Sequence, residues 1–164
     1  MSDEELSRLQ EDIQQLKDIE DIKRLKALYF ECTDTQNWAR WADEVIAEDF
    51  HFDSEAGVLE GRDVVVAHIS KALEGGQTVH HGHMPDIRII GPDTATGVWA
   101  MNDYVTLPGS GGTPYVMRGY GHYREEYVRT DRGWRVRKSV MSRLRVDVEG
   151  TPHFAVPSTA EGSQ

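Results

Sequence analysis

The chain has 164 residues, a hydrophobic fraction of 38% and a formal net charge of −10 at pH 7. This is the length of one domain that can bury a core without disulfides or metals, and the acidic balance argues against nucleic acid and anionic membranes as partners. The apolar runs are too short for a membrane span, and the N-terminus lacks the features of a signal peptide. With Cys32 as the single cysteine, these features predict a cytoplasmic protein with a packed, unpaired thiol.

The N-terminal part of the chain is predicted to be helical from residue 4 to residue 32. Its first apolar residues keep a helical 3-4-3 spacing, at Leu6, Leu9, Ile13 and Leu16. The phase of the pattern changes after them. We therefore interpret 1–17 as a charged helical arm that needs a partner surface, and 18–148 as the domain proper. The remainder, 149–164, contains two prolines and a polar end, and is expected to be an extended tail.

Short elements follow the first helix, and long strands follow these. The turn formers and apolar spacing predict a helix over Trp38–Ala47, strands over Asp49–Asp53 and Val58–Glu60, and a helix over Val64–Leu73. Alternating patterns separated by turn residues then predict four strands, at 78–90, 94–106, 115–129 and 133–147. Helices followed by a hairpin meander indicate an α+β fold, in which three helices pack on a curved antiparallel sheet. Such a sheet leaves a cone with an open mouth.

Three of the seven histidines lie within four positions, at His80, His81 and His83, directly before a strand pattern. Histidine is the usual general base near neutral pH and a common metal ligand. A strand entrance with solvated polar side chains would explain the same pattern. A metal site is the weaker hypothesis, because the residue five positions after His83 is Arg88 and not an acid. We predict that no metal is required.

Four further residues are candidates for a site because polar groups end otherwise apolar patterns. Tyr29 follows apolar helix positions, and Asp34 lies just beyond the predicted helix end, where the helix dipole does not favour a carboxylate. Asp103 continues the parity of two large apolar strand residues, which makes a buried, partnered carboxylate plausible. Strict alternation places Arg143 on the strand face opposite Trp134, so a role in the cavity would need a β-bulge or a sheet face that is polar at its end.

Motifs along most of the chain carry a family resemblance. They are Leu25-Lys26-Ala27-Leu28-Tyr29-Phe30 with Asp34, Asn37-Trp38, Val79 to Ile87, Thr94 to Trp99 with Asp103, Tyr123 with Tyr127, and Gly133-Trp134. From about Leu16 to Val148 the chain resembles the SnoaL-like branch of the nuclear transport factor 2-like superfamily. The closest pattern is the bile acid 7α-dehydratase type, and scytalone dehydratase and hexachlorocyclohexane dehydrochlorinase are more distant.

The resemblance implies a cone-shaped fold, a homo-oligomer (a trimer more than a dimer) and cofactor-free chemistry on a hydrophobic carbonyl compound. It implies His80 as general base, Asp34 as its orienting acid, and Tyr29 as a donor to oxygen. Asp103 and Arg143 would position substrate or balance charge. The predicted function is that of a dehydratase. The alternatives are a ketosteroid-type isomerase, a polyketide cyclase, and a module that only binds a lipophilic ligand or a protein partner. The resemblance carries the fold further than the reaction.

Overall fold

The fold is described from a computed structural model over residues 1–151. The helical elements are α1 (Asp3–Asp34), α2 (Trp38–Arg40), a π-helical turn (Trp41–Val45), α3 (Arg62–Ala72) and a 3₁₀ turn (Ser110–Gly112). The strands are β1 (Ile46–Ser54), β2 (Gly57–Glu60), β3 (Gln77–Gly91), β4 (Thr94–Leu107), β5 (Tyr115–Thr130) and β6 (Gly133–Glu149). Of the predicted tail, Glu149 ends β6, and the part after Thr151 lies outside the described residues. No helix within 1–151 combines the length and apolarity needed to cross a membrane.

All six strands form one sheet in the order β2-β1-β6-β5-β4-β3. The strands β3 to β6 are an antiparallel meander joined by short turns, as predicted. The prediction of an antiparallel sheet is wrong at one place, because β1 pairs in parallel with β6. This pairing joins strands about 90 residues apart in the chain, so no local turn signal announces it. The sheet is mixed and open, and the α+β cone with three helices is confirmed.

Helix α1 is a single helix of 32 residues that begins with a capping box between Ser2 and Glu5. The change of phase after Leu16 does not interrupt it. Instead it marks where burial begins, because residues 1–17 are exposed and the packed face starts at Asp18. The carboxylate of Asp18 is held by Arg129 at 2.6 Å and by the indole N–H of Trp134 at 3.3 Å. The arm is thus a continuation of the helix that anchors the domain.

The predicted second helix over Trp38–Ala47 is shorter than expected. One α-helical turn, α2, leads into the π-helical turn, which closes when the Ile46 N–H donates to the Trp41 carbonyl. The chain becomes a strand at Ile46, so the helix ends before the predicted Ala47. Strand β1 therefore begins three residues before the predicted Asp49. The wider turn buries Trp41 against Tyr29, with ring centroids 5.3 Å apart and rings nearly perpendicular.

The core lies at the closed end of the cone, between the inner face of the sheet and α1 with α3. It is mainly apolar and aromatic, and Cys32, which is 1% exposed, is part of it. One ion pair is sealed within this end: the Lys26 ammonium and the Glu125 carboxylate lie 2.6 Å apart, and both side chains are essentially inaccessible. The Tyr127 hydroxyl donates to Glu125 at 2.5 Å and the Ser139 hydroxyl at 3.2 Å. Each oxygen of Glu125 therefore has a partner, as a buried carboxylate requires.

Candidate functional site

A cavity of about 680 Å³ opens from the core to the mouth of the cone. Its deep end is lined by polar side chains together with aromatic rings. Toward the mouth the wall is apolar, formed by Val105, Leu107, Tyr115, Met117, Val146 and Val148. The order follows from the sheet register, in which His80 lies beside Asp103 and the next inward residues toward the mouth are Thr78 and Val105. A ligand that fills the cavity therefore meets the His80 and Asp103 side chains at its inner end and an apolar wall of the sheet toward the mouth.

His80 and Asp34 meet at the deep end of the cavity. The Nδ1 atom of His80 is 2.6 Å from Oδ1 of Asp34, and the His80 backbone N–H donates to Oδ2 at 2.9 Å. The Thr78 hydroxyl donates to Oδ1 at 2.9 Å. The ring of Phe30 stacks on the imidazole with an interplanar angle of 3°. Three hydrogen bonds and one stacked ring thus fix the orientation of this pair.

The same contacts set the protonation of the pair. Burial alone would raise the pKa of Asp34, but the hydrogen bonds from His80 and Thr78 outweigh it and hold the pKa below its usual value. An ionised carboxylate only accepts hydrogen bonds, so Nδ1 of His80 carries the hydrogen. In the neutral form of the imidazole, Nε2 is then the nitrogen without a hydrogen. Because His80 lines the cavity with 13% of its side chain exposed, this nitrogen is free to accept a proton from a ligand.

Two phenols lie beside this pair. Tyr29 comes from α1 and Tyr123 from β5, and their ring centroids are 6.4 Å apart. Both rings are at least 95% buried and both line the cavity. Within the described part of the chain, neither hydroxyl has a hydrogen-bond partner. Burial raises the pKa of both groups above the ordinary value, so both stay protonated and can donate to a ligand oxygen.

Asp103 and Arg143 form the second charged pair of the cavity. The Arg143 Nη2 atom lies 2.5 Å from Oδ2 of Asp103, whose side chain is 1% exposed. Burial would lower the pKa of Arg143, but the hydrogen bond and charge of Asp103 raise it above its usual value. Gly119 makes room for the pair, because a Cβ atom there would lie 2.1 Å from Asp103 Oδ1 and 2.4 Å from Arg143 Nε.

Arg143 reaches the cavity through β-bulges in β6. The pairing of β5 with β6 skips Arg137 and again Leu144, so each is an extra residue on β6. Strict alternation, which placed Arg143 opposite Trp134, is therefore wrong across the strand. Between the two bulges the inward residues change from even to odd positions, so that Met141 and Arg143 line the cavity while Leu144 is 79% exposed.

The five predicted site residues, Tyr29, Asp34, His80, Asp103 and Arg143, thus lie around the deep end of one cavity. A family model described as a SnoaL-like domain matches residues 14–140. The chain belongs to the SnoaL-like family.

Several solved structures have the same fold as this SnoaL-like chain. A putative scytalone dehydratase from Novosphingobium aromaticivorans is 16% identical, with a TM-score of 0.73 over 85% of this chain and 95% of that one. A hexachlorocyclohexane dehydrochlorinase from Novosphingobium barchaimii is 19% identical, with a TM-score of 0.69 over 89% and 99%. A Kribbella flavida protein is 19% identical, with a TM-score of 0.74 over 81% and 95%. At these identities the likeness is one of fold.

Glu55, which lies in the turn between β1 and β2, was not predicted from the sequence as a residue of the site. Its carboxylate accepts a hydrogen bond from the Arg143 backbone N–H at 2.5 Å and faces the Arg143 guanidinium at 3.2 Å. A turn glutamate carries no pattern that indicates this contact. Lys26 and Glu125 were not predicted either. For Glu125 the sequence did carry a signal, because the residue shares the inward parity of Tyr123 and Tyr127.

The other two histidines of the cluster lie on the outer face of the SnoaL-like sheet. Nε2 of His83 is 2.7 Å from the side-chain oxygen of Asn102, and Nδ1 of His81 is 3.5 Å from its nitrogen. Strand alternation points them away from His80, so they do not touch the cavity. Within residues 1–151, no group of three or more His, Cys, Asp or Glu side chains is arranged to hold a metal ion.

Proposed function

We propose that the protein is a cofactor-free lyase that dehydrates a hydrophobic carbonyl compound, such as a steroid-like, polyketide or aromatic ketone. The observation that carries the proposal is the His80–Asp34 pair, whose imidazole has one nitrogen held by the carboxylate and the other free toward the cavity. This is the arrangement of a general base with its orienting acid. A general small-molecule-converting role is shared with the dehydratase and dehydrochlorinase folds named above.

In the proposed reaction, Nε2 of His80 takes the proton from the carbon next to the carbonyl. Asp34 stabilises the imidazolium that forms, and the hydroxyl of Tyr29 or Tyr123 donates to the oxygen on which negative charge develops. The carbon–oxygen bond to the leaving hydroxyl then breaks, and the imidazolium returns its proton to that oxygen. Water is lost, a carbon–carbon double bond remains, and every protein group regains its starting protonation state.

An isomerase or a cyclase with a carboxylate base is the alternative reaction in the same cavity. Asp103 is the carboxylate that would have to serve. Its carboxylate is 1% exposed and is already bound by Arg143, so a ligand has poor access to it. This contrast favours His80 as the base. A module that binds a lipophilic ligand without converting it remains the second class of function.

The test is turnover of a panel of hydroxysteroids and phenolic ketones by protein purified without added metal. With an active substrate, His80→Ala should lower kcat by roughly two to four orders of magnitude, as for loss of a general base. His81→Ala is the matched control, since the neighbouring imidazole lies on the exposed face, and its rate should equal that of the wild type. Activity that survives His80→Ala would favour the isomerase alternative. Tight binding without turnover would favour the binding module, and one bound equivalent of zinc or iron by elemental analysis would contradict cofactor-free chemistry.

A homo-oligomer, a trimer rather than a dimer, is part of the proposal. Its support is the outer face of the sheet, where Val79 is 39%, Tyr104 37% and Tyr120 41% exposed. Val79 lies directly beside Tyr104 on the neighbouring strand. Contiguous exposed aromatic and aliphatic side chains are typical of association surfaces. Sedimentation at micromolar protein concentration measures the state, and a monomer there would contradict the prediction.

A further inference from the structure

Arg143 is the one lysine or arginine whose side chain lines the cavity within residues 1–151. Its guanidinium is occupied from two sides. On the side of the sheet, Oδ2 of Asp103 lies 2.5 Å from Nη2 of Arg143. On the side of the β1–β2 turn, Oε2 of Glu55 lies 3.2 Å from Nη1. Besides the imidazoles of His68 and His80, the lining of the cavity therefore carries two carboxylates and one guanidinium, and that guanidinium is paired with both carboxylates.

We propose that Glu55 is a specificity-determining residue that makes the cavity select ligands without negative charge. The inference deepens the proposed function, because it concerns the substrate of the same cavity. A carboxylate on a ligand would have to leave water, approach Asp103 and Glu55, and find Arg143 already paired. A ketone, ester or amide brings no charge, and its oxygen needs only the phenol donors Tyr29 and Tyr123.

The two acids that hold Arg143 have different roles. Asp103 is 1% exposed and lies deep in the sheet, so its loss would leave the partly buried guanidinium with Glu55 as its one remaining charged partner in the lining of the cavity. Glu55 is 34% exposed in the turn, and within residues 1–151 its side chain forms hydrogen bonds and an ion pair with Arg143. A change at Glu55 therefore alters the charge met by a ligand and leaves the buried pair in place. Glutamine at this position keeps the size of the side chain and one of the two oxygens that accept from Arg143, and it removes the charge.

The experiment compares two probes of nearly the same shape, pyrene carboxamide and pyrene carboxylate, by fluorescence titration at neutral pH. The wild-type protein should bind the amide at least about tenfold more tightly than the carboxylate, because one like charge at an effective dielectric of about 20 changes affinity by that factor or more. In Glu55→Gln the carboxylate should gain about tenfold in affinity, so that the preference for the amide shrinks by the same factor. Glu48→Gln is the matched control. It removes one charge from an exposed position of β1 and should leave the preference unchanged.

Each outcome decides the question. Equal affinity of the wild-type protein for both probes, no binding of the amide, or an unchanged preference in Glu55→Gln would overturn the inference. A preference that also shrinks in Glu48→Gln would assign the effect to net charge and would likewise overturn it. Binding is measured without turnover, so the result is separate from the reaction. A protein that shows this selectivity and converts no substrate would retain Glu55 as the selector while refuting the lyase.

Discussion

Lys26 and Glu125 form an ion pair at the closed end of the cone, whereas His80 and Asp34 meet where the cavity begins. The two pairs have the same nitrogen–oxygen distance, 2.6 Å. They differ in access, because the first pair is 1% and 0% exposed and the second 13% and 23%. They also differ in completeness. Glu125 has partners on both oxygens, while His80 uses one ring nitrogen and leaves the other toward the cavity.

These differences in exposure and in hydrogen bonding indicate that the first pair stabilises the fold, whereas the second can take part in chemistry. A carboxylate whose hydrogen-bond partners all belong to the protein core does not bind a ligand, and its removal leaves a buried cation unpaired. The Lys26 ammonium also lies 3.8 Å from the ring centroid of Tyr123 and 4.3 Å from that of Tyr29, so the sealed pair supports the floor of the cavity. The imidazole of His80 is the opposite case, because one ring nitrogen is held by Asp34 and the other can bind a ligand.

The largest expected effect comes from breaking the sealed pair. Glu125→Ala should lower the free energy of unfolding by about 3–5 kcal/mol, because Lys26 is left charged and buried without a partner. Urea unfolding followed by circular dichroism measures this loss. The double variant Lys26→Met/Glu125→Leu removes both charges and keeps apolar volume, so it should be more stable than Glu125→Ala. A loss below about 1 kcal/mol in Glu125→Ala would show that the buried ion pair contributes little to the stability of the fold.

The next effect concerns the open pair and appears in activity. Asp34→Asn should lower kcat by roughly two orders of magnitude or more, because the imidazole loses the acceptor that fixes its tautomer. The double variant with His80→Ala should be no slower than His80→Ala alone, since the two residues act as one unit. Steady-state kinetics on an active substrate, with unfolding midpoints as the control for folding, provides the test. Losses that multiply would mean that the two residues act independently.

A pair of tyrosines sharpens the same contrast at a smaller scale. Tyr127→Phe should lower the free energy of unfolding by about 1–2 kcal/mol. Its hydroxyl donates to Glu125 and accepts from the Trp99 indole N–H at 2.8 Å. Tyr29→Phe removes a hydroxyl without a partner in the described structure, so its effect on stability should be under about 0.5 kcal/mol while turnover falls. If Tyr29→Phe destabilises the protein as much as Tyr127→Phe does, the distinction between sealed and open groups fails.

The smallest expected effect is a change in acid stability. The pKa of Asp34 is lowered on folding from its ordinary value of 3.8. A carboxyl group whose pKa is lowered on folding stabilises the fold at pH values above its ordinary pKa. This contribution disappears as the pH falls through the pKa of the folded state. Wild-type protein should therefore lose more stability than Asp34→Asn between about pH 5 and the acid limit. Urea midpoints against pH measure the difference, with Asp12→Asn on the exposed arm as the charge-matched control. Parallel curves for Asp34→Asn and wild type would refute it.

The sequence predicted the elements and the site more completely than the pairings between distant segments. Helical spacing and strand alternation are local, so α3 and the meander β3 to β6 agree with prediction within one to two residues at each end. The parallel contact of β1 with β6 has no local signal. The face of Arg143 depends on the bulges at Arg137 and Leu144, which alternation cannot place because an extra residue changes parity without changing composition.

Charged core residues were predicted least well, for a physical reason. Lys26 in a helix of mixed charge has the sequence appearance of a solvated residue, and only its position four after Ile22 and three before Tyr29 indicates burial. The resemblance to a family identified Tyr29, Asp34 and His80 through their motifs, and the geometry shows how they meet. It did not indicate Glu55, whose role depends on the contact of the β1–β2 turn with Arg143 in β6.

The apolar wall toward the mouth has a consequence for ligand length. From Asp103 to Leu107 on β4 is four residues, or about 13 Å of extended strand. In a homologous series of alkyl ketones whose carbonyl sits beside His80, each added methylene should improve binding by about 0.8 kcal/mol while it still lies against this wall. Beyond that depth further carbons reach water, and the affinity should level off. The alkyl chain length at which the affinity stops rising would then report the distance from His80 to the solvent at the mouth of the cone.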